Sequence, residues 1–196
     1  VVVTSPIIFF VIALKELSIG LVVGFVIQLF LSVIIIGGEV IDLQMGLSMS
    51  KIYDPQSNVS MSISATMLNI MVMLIFFATN GHLTMIKIFC QLGTISPYGE
   101  IAVSPELFRE VVGLFSTILI YAIKIALPML AVQIVAEMGV GLLMKAVPQI
   151  NVFVVNLQLK ILIGFVVTLL LVPSYAGFLE RLLTLMFDQI NYLFAL

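Results

Sequence analysis

The chain has 196 residues, 62% of them hydrophobic and 9% charged, with a mean hydropathy of +1.30 and a formal net charge of -2. A soluble globular domain carries about 25% charge, so this is an integral membrane protein or the core of an assembly born in a membrane. No excess of Lys and Arg is available to meet a polyanion, which sets nucleic acid aside as a partner, and the lone Cys90 excludes an internal disulfide.

A bilayer core of about 30 Å needs about 20 apolar residues in a helix, and five segments approach that length. The first is expected over Pro6 to Ile36 and is too long for one straight crossing; Lys15-Glu16 marks where a break or an interface would cost least. Within it Gly20, Gly24, Gln28 and Ser32 recur every four residues and share one face. Small residues let helix backbones approach, and a glutamine wants a hydrogen-bond partner. That face therefore meets protein, either within the chain or on another subunit.

After Gly38 the chain turns polar, from Glu39 through Asp42, Gln44-Met45-Gly46 and Ser48 to Asp54-Pro55-Gln56-Ser57-Asn58, and an irregular, conduit-like segment is expected here. Glu39 and Asp42 are three apart on one helical face, which suits a helix cap, a weak cation site or a partner's lysine. A second span is expected over Met61 to Phe77, with Ser62, Thr66, Asn69 and Met73 aligned toward a partner or a wet passage. Six of the eleven methionines lie between Met45 and Met73; methionine repacks readily, as core filler or as a compliant seal. Asn80-Gly81 is a turn or helix-end signal, with His82 bonding a backbone group there.

The third span, Val111 to Ala136, carries Pro128, which kinks a helix unless neighbours satisfy the freed carbonyl. It also carries Lys124, and a lysine at a helix centre costs about 2.5 to 3.5 kcal/mol on insertion scales. Glu137, thirteen residues on, falls on roughly the opposite face, so the counter-charge of Lys124 is expected from another helix or another chain. A fourth span over Val152 to Val172 ends at Pro173, and a fifth over Ala176 to Phe194 holds Glu180, Arg181 and Asp188 at an interface or against other subunits. The eight Lys and Arg are scattered along the chain and give no orientation. With no repeat and no low-complexity tract, residues 1-196 read as one all-α domain, and the apolar start at Val1 without an initiator methionine reads as a fragment.

Enzyme chemistry finds little support. His82 has no serine or cysteine in a nucleophile motif near it, and Gly46-Leu47-Ser48-Met49-Ser50 lacks the glycine that a nucleophile elbow needs after the serine. No P-loop or dinucleotide fingerprint is present, and no Cys or His pair has metal-ligand spacing. Catalytic, cofactor and metal sites are accordingly not expected. A self-contained secondary transporter, with discontinuous helices binding a small solute near the midplane, is an alternative that composition leaves open.

Several strings together resemble the FliR family of flagellar type III secretion export-gate subunits: Gly38-Glu39 through Gln44-Met45-Gly46-Leu47-Ser48, Asp54-Pro55-Gln56-Ser57, Asn80-Gly81-His82-Leu83, Ala126-Leu127-Pro128 and Pro148-Gln149-Ile150-Asn151-Val152-Phe153. They keep the family's order over nearly the whole chain. The resemblance implies membrane-derived, kinked helical hairpins, further helices ahead of Val1, and a noncatalytic subunit in the bacterial inner membrane at the flagellar basal body. It implies FliP-like and FliQ-like gate subunits, FlhB-like and FlhA-like export proteins, membrane lipid and unfolded proteins in transit as partners. The virulence injectisome counterpart shares this fold and mechanism.

The resemblance also implies that about Ser48 to Ser62 helps to plug the gate, with Gln44, Met45, Ser48, Met49, Asp54, Pro55, Gln56, Ser57, Asn58 and Met61 as the sealing residues. Subunit packing is expected at Gly20, Gly24, Gln28, Ser32, Lys124, Glu137, Pro148, Gln149, Asn151 and Phe153. The chain departs from its relatives at Asn156 and Gln158, where they often carry glycine and proline, so the resemblance does not specify the bend after Phe153.

Overall fold

A computed structural model describes residues 6–48, 62–95, 105–146 and 152–195. These form five helices: α1 (Pro6–Met45), α2 (Ile63–Ala78), α3 (Gly81–Ile95), α4 (Pro105–Ala146) and α5 (Val152–Ala195). At 1.5 Å per residue the three long helices each extend about 60 Å, roughly twice a bilayer core. All three are apolar enough to cross a membrane, and α2 with α3, bent by 69° at their junction, counts as a fourth candidate span.

Several boundaries differ from the sequence expectation. Helix α1 runs unbroken through Lys15-Glu16 and on through Glu39 to Met45, so the polar stretch after Gly38 begins as helix and not as an irregular conduit. Glu39, Asp42 and Gln44 interrupt the hydrophobicity without interrupting the backbone ladder, because Ile41 and Met45 on the same turns are buried. Pro6 starts the helix, where its missing N–H costs nothing.

Of the two internal prolines, Pro128 lies inside its helix as the span over Val111 to Ala136 expects, whereas Pro173 does not stop its helix where the expected fourth span ended. Pro128 lies within α4 and Pro173 within α5, so the expected fourth and fifth spans are one helix of 44 residues. Packing explains the continuity. Ile125 and Ala126 before Pro128, and Met129 and Gln133 after it, are all buried, while Thr168 before Pro173 and Tyr175 and Leu179 after it are buried too. Core contacts on both sides of each proline hold the two segments in line against the loss of one backbone bond.

The sharp bend falls instead at Asn80, whose φ of 59° is left-handed. The Asn80 N–H donates to the Phe77 carbonyl and closes α2, while the Asn80 carbonyl accepts from Leu83 and Thr84 and opens α3. Gly81 follows by necessity, since a Cβ there would lie 2.8 Å from the Phe76 carbonyl oxygen. The Asn80-Gly81 turn read from the sequence is present, and α3 beyond it is a helix not anticipated as a separate element.

The C-terminal half of α1 is the centre of the fold and packs along α4, α2 and α5. Val26, Val33, Ile34 and Ile41 of α1 meet Leu68, Ile125, Met129 and Leu179 in one core. Two consecutive glycines set the approach distances. A Cβ on Gly37 would clash with Ile125 of α4, and one on Gly38 would clash with the Ala65 backbone of α2. On the far side Gly164 of α5 leaves room for Met45, whose thioether would lie 2.6 to 3.0 Å from an added Cβ.

Candidate functional site

A polar junction lies where α1 ends and α2 begins. Gly46, at φ 79°, terminates α1: the Leu47 N–H donates to the Asp42 carbonyl at 3.0 Å and the Gly46 N–H to the Leu43 carbonyl at 3.2 Å. This paired closure satisfies two carbonyls at the helix end. The side chain of the same Asp42 crosses to α2, where one carboxylate oxygen accepts from the Ile63 N–H at 2.7 Å and the other from the Ser64 N–H at 3.1 Å. Ser62, in an extended conformation, accepts from the Ala65 N–H at 2.9 Å through its hydroxyl. The first three N–H groups of α2 are therefore all bonded, two of them by a residue on another helix.

Asp42 is 2% exposed. A buried carboxylate is stable only with strong partners, and two charge-assisted bonds at the positive end of a helix dipole supply them. Of the three roles open to Glu39 and Asp42, Asp42 takes the capping role, on the next helix and not on its own; Glu39 is exposed. Nothing in the local sequence announces a bond between residues 21 and 22 positions apart, and Asp42 was not among the expected site residues.

Among the expected sealing residues, Gln44 is a half-buried helical residue, Met45 is core at 1% exposure, and Ser48 is half-buried in the turn after α1. Met49, Asp54, Pro55, Gln56, Ser57, Asn58 and Met61 lie outside the described residues. Met45 thus packs inside the chain itself, against Gly164.

The expected packing face of α1 points outward. Gly20, Gly24 and Gln28 are exposed, and a Cβ on either glycine would meet nothing within 4 Å. Ser32, half-buried, donates to the Leu29 carbonyl of its own helix at 2.6 Å. Packing among the described residues therefore does not account for this stripe. Thr66, with its hydroxyl on the Ser62 carbonyl, and Met73 are exposed on α2, and Asn69 between them is half-buried.

Lys124 is exposed, with its ammonium 5.0 Å from the centroid of the Tyr121 ring one turn earlier. Glu137 pairs with Lys160 of α5, so it is not the counter-charge of Lys124. One turn from that pair the fully buried Gln133 donates to the Lys160 carbonyl at 2.9 Å, which ties α4 to α5 through both the backbone and the side chain of Lys160. Pro148, Gln149 and Asn151 lie outside the described residues, and Phe153 stands in the first turn of α5. His82, in the first turn of α3, sits beside the rings of Phe76 and Phe77, with ring centroids 6.5 and 5.5 Å away. No group of three His, Cys, Asp or Glu that could hold a metal occurs among the described residues.

Comparison with known proteins extends these observations. The sequence profile of the bacterial export proteins, family 1, matches residues 1–186. The flagellar biosynthetic protein FliR of Escherichia coli K12 is 29% identical over 176 residues, which is 90% of this chain and 67% of that protein. The Bacillus subtilis protein of the same name is 26% identical over 195 residues, covering 96% of this chain and 74% of its own length. The Yop proteins translocation protein T of Yersinia pestis is 25% identical over 181 residues, 91% of this chain and 69% of that protein. With the profile matched across nearly its whole length, an all-helical architecture and three membrane-length helices, the chain belongs to the bacterial export proteins, family 1.

Proposed function

We propose that this chain is a structural subunit of a type III protein export gate, one that helps to form and seal the channel for unfolded flagellar proteins. The observation that carries this reading is the family profile over residues 1–186, joined to FliR relatives that align with 90% or more of the chain. The uncovered glycine stripe of α1 and the exposed apolar side chains on every long helix support burial in a larger assembly. By family resemblance the neighbours are FliP-like and FliQ-like subunits, with FlhB-like and FlhA-like proteins associated. The location is the inner membrane at the basal body, and Ser48 to Ser62 is the part that seals the lumen.

Native mass spectrometry of the full-length parent co-expressed with the FliP-like and FliQ-like proteins of its organism tests the proposal. One copy in a larger defined complex is the expected result. A stable monomer that ignores those partners and binds a small solute would favour the transporter reading. The Yersinia relative keeps a second reading, the injectisome gate subunit; rescue of motility and not of effector secretion in the matching deletion strains would separate the two.

A further inference from the structure

Asp42 does two jobs that are separable in principle. Its carbonyl closes the last turn of α1 through Leu47, and its carboxylate holds the first two amides of α2. One residue therefore grips both ends of the connection between the two helices. Helix α2 already has its own cap in Ser62, which takes the Ala65 amide, so the carboxylate adds what a local cap does not reach.

Nor is Asp42 needed to bring α2 onto α1. One turn earlier Gly38 lies against the Ala65 backbone, and Leu68 and Val72 are buried in the common core. That packing sets the distance between the helices. The carboxylate fixes the end: it bonds the two leading amides of α2 beside the last turn of α1, a directional hold that the packing of Ala65 on Gly38 does not itself supply.

We propose that Asp42 is a positioning residue that clasps the two footings of the connection between α1 and α2, so that it leaves and re-enters the helical body at one fixed place. Its importance for export rests on the reading that this connection seals the channel. Without the clasp the end of α1 and the start of α2 move independently while the helices stay packed.

The test uses the full-length parent assembled with its gate partners in lipid nanodiscs, as wild type, D42A and D42N. Hydrogen–deuterium exchange is followed at the amides of Ile63 and Ser64, with Leu68 to Val72 as an internal reference, and resting ion leak is measured for the same complexes in vesicles. In D42A the two capped amides should exchange about tenfold faster or more, with the reference amides unchanged and the leak increased. D42N should fall between, since an amide oxygen accepts one of the two N–H groups while its NH₂ opposes the other.

Unchanged exchange at Ile63 and Ser64, or loosening of Leu68 to Val72 to the same degree, would overturn the clasp, the latter because it marks a general structural role. Faster exchange of the two amides without a leak keeps the clasp and overturns the sealing reading, whereas a leak without faster exchange does the reverse. Should D42A not assemble, D42N is judged alone by the same criteria.

Discussion

Gly20 and Gly24 lie on the same 40-residue helix as Gly37 and Gly38. A Cβ added at either of the first pair meets nothing within 4 Å, whereas one added at the second pair collides with Ile125 or with the Ala65 backbone. The residue type is the same, and so is the apolar setting. What differs is the tertiary partner: the C-terminal half of α1 is wrapped by α4, α2 and α5, while the N-terminal half carries exposed Phe9, Phe10, Leu14, Leu17 and Leu21. A glycine in a membrane-length helix costs stability wherever it sits, so an open glycine stripe points to a partner from outside the chain, and a closed one to the chain's own fold.

The largest effect should come from Gly38→Ala. Its new methyl meets backbone, which does not give way, and a loss of about 3 kcal/mol is expected, read as reduced accumulation and a lower Tm in detergent. A variant as stable as wild type would mean that α1 and α2 separate easily. Gly37→Ala meets the Cγ2 methyl of Ile125, which yields only by a shift of that side chain, in addition to the Ala122 carbonyl, and should cost about 1 to 2 kcal/mol by the same assay.

At the other end the sign reverses. Gly24→Ala in the isolated chain should stabilise α1 by about 0.5 to 1 kcal/mol, because the helix gains propensity and nothing is displaced. The bulkier Gly24→Leu should leave the isolated chain folded yet reduce co-purification of the partner subunits. If Gly24→Leu destabilises the chain alone, the stripe is covered from within and the contrast between the two halves fails. The smallest effect is expected at the Glu137–Lys160 pair, where the side chains are 41% and 20% exposed. A double-mutant cycle in detergent should give a coupling below about 1 kcal/mol, well short of the glycine-mediated contacts of α1.

The fold was legible where one residue's own chemistry decides the outcome. Asn80-Gly81 read as a turn because asparagine tolerates the left-handed region and glycine tolerates close approach, and both properties are used there. Pro173 misled where Pro128 did not: a proline removes one hydrogen bond whatever its context, but whether the helix survives depends on what packs on either side. The same limit applies to Glu39, Asp42 and Gln44: as a polar cluster they suggest the end of a span, and the buried neighbours Ile41 and Met45 carry the helix past them. For Asp42 itself three roles were open, a cap, a weak cation site or a partner's lysine, since the amides it holds belong to residues more than 20 positions away.

By itself the sequence determined that the protein is built for a membrane setting, because high hydropathy and a low share of charge are properties of composition, and its long apolar runs read as helices. It also determined the family, because the profile of the bacterial export proteins, family 1, matches residues 1–186. Only the tertiary structure decided which half of α1 is core and which is open, that α5 runs through Pro173, and that one buried carboxylate joins the end of α1 to the start of α2. Those outcomes depend on side chains brought together from distant positions, and a pattern with a period of 3.6 residues carries no record of which helix its face will meet.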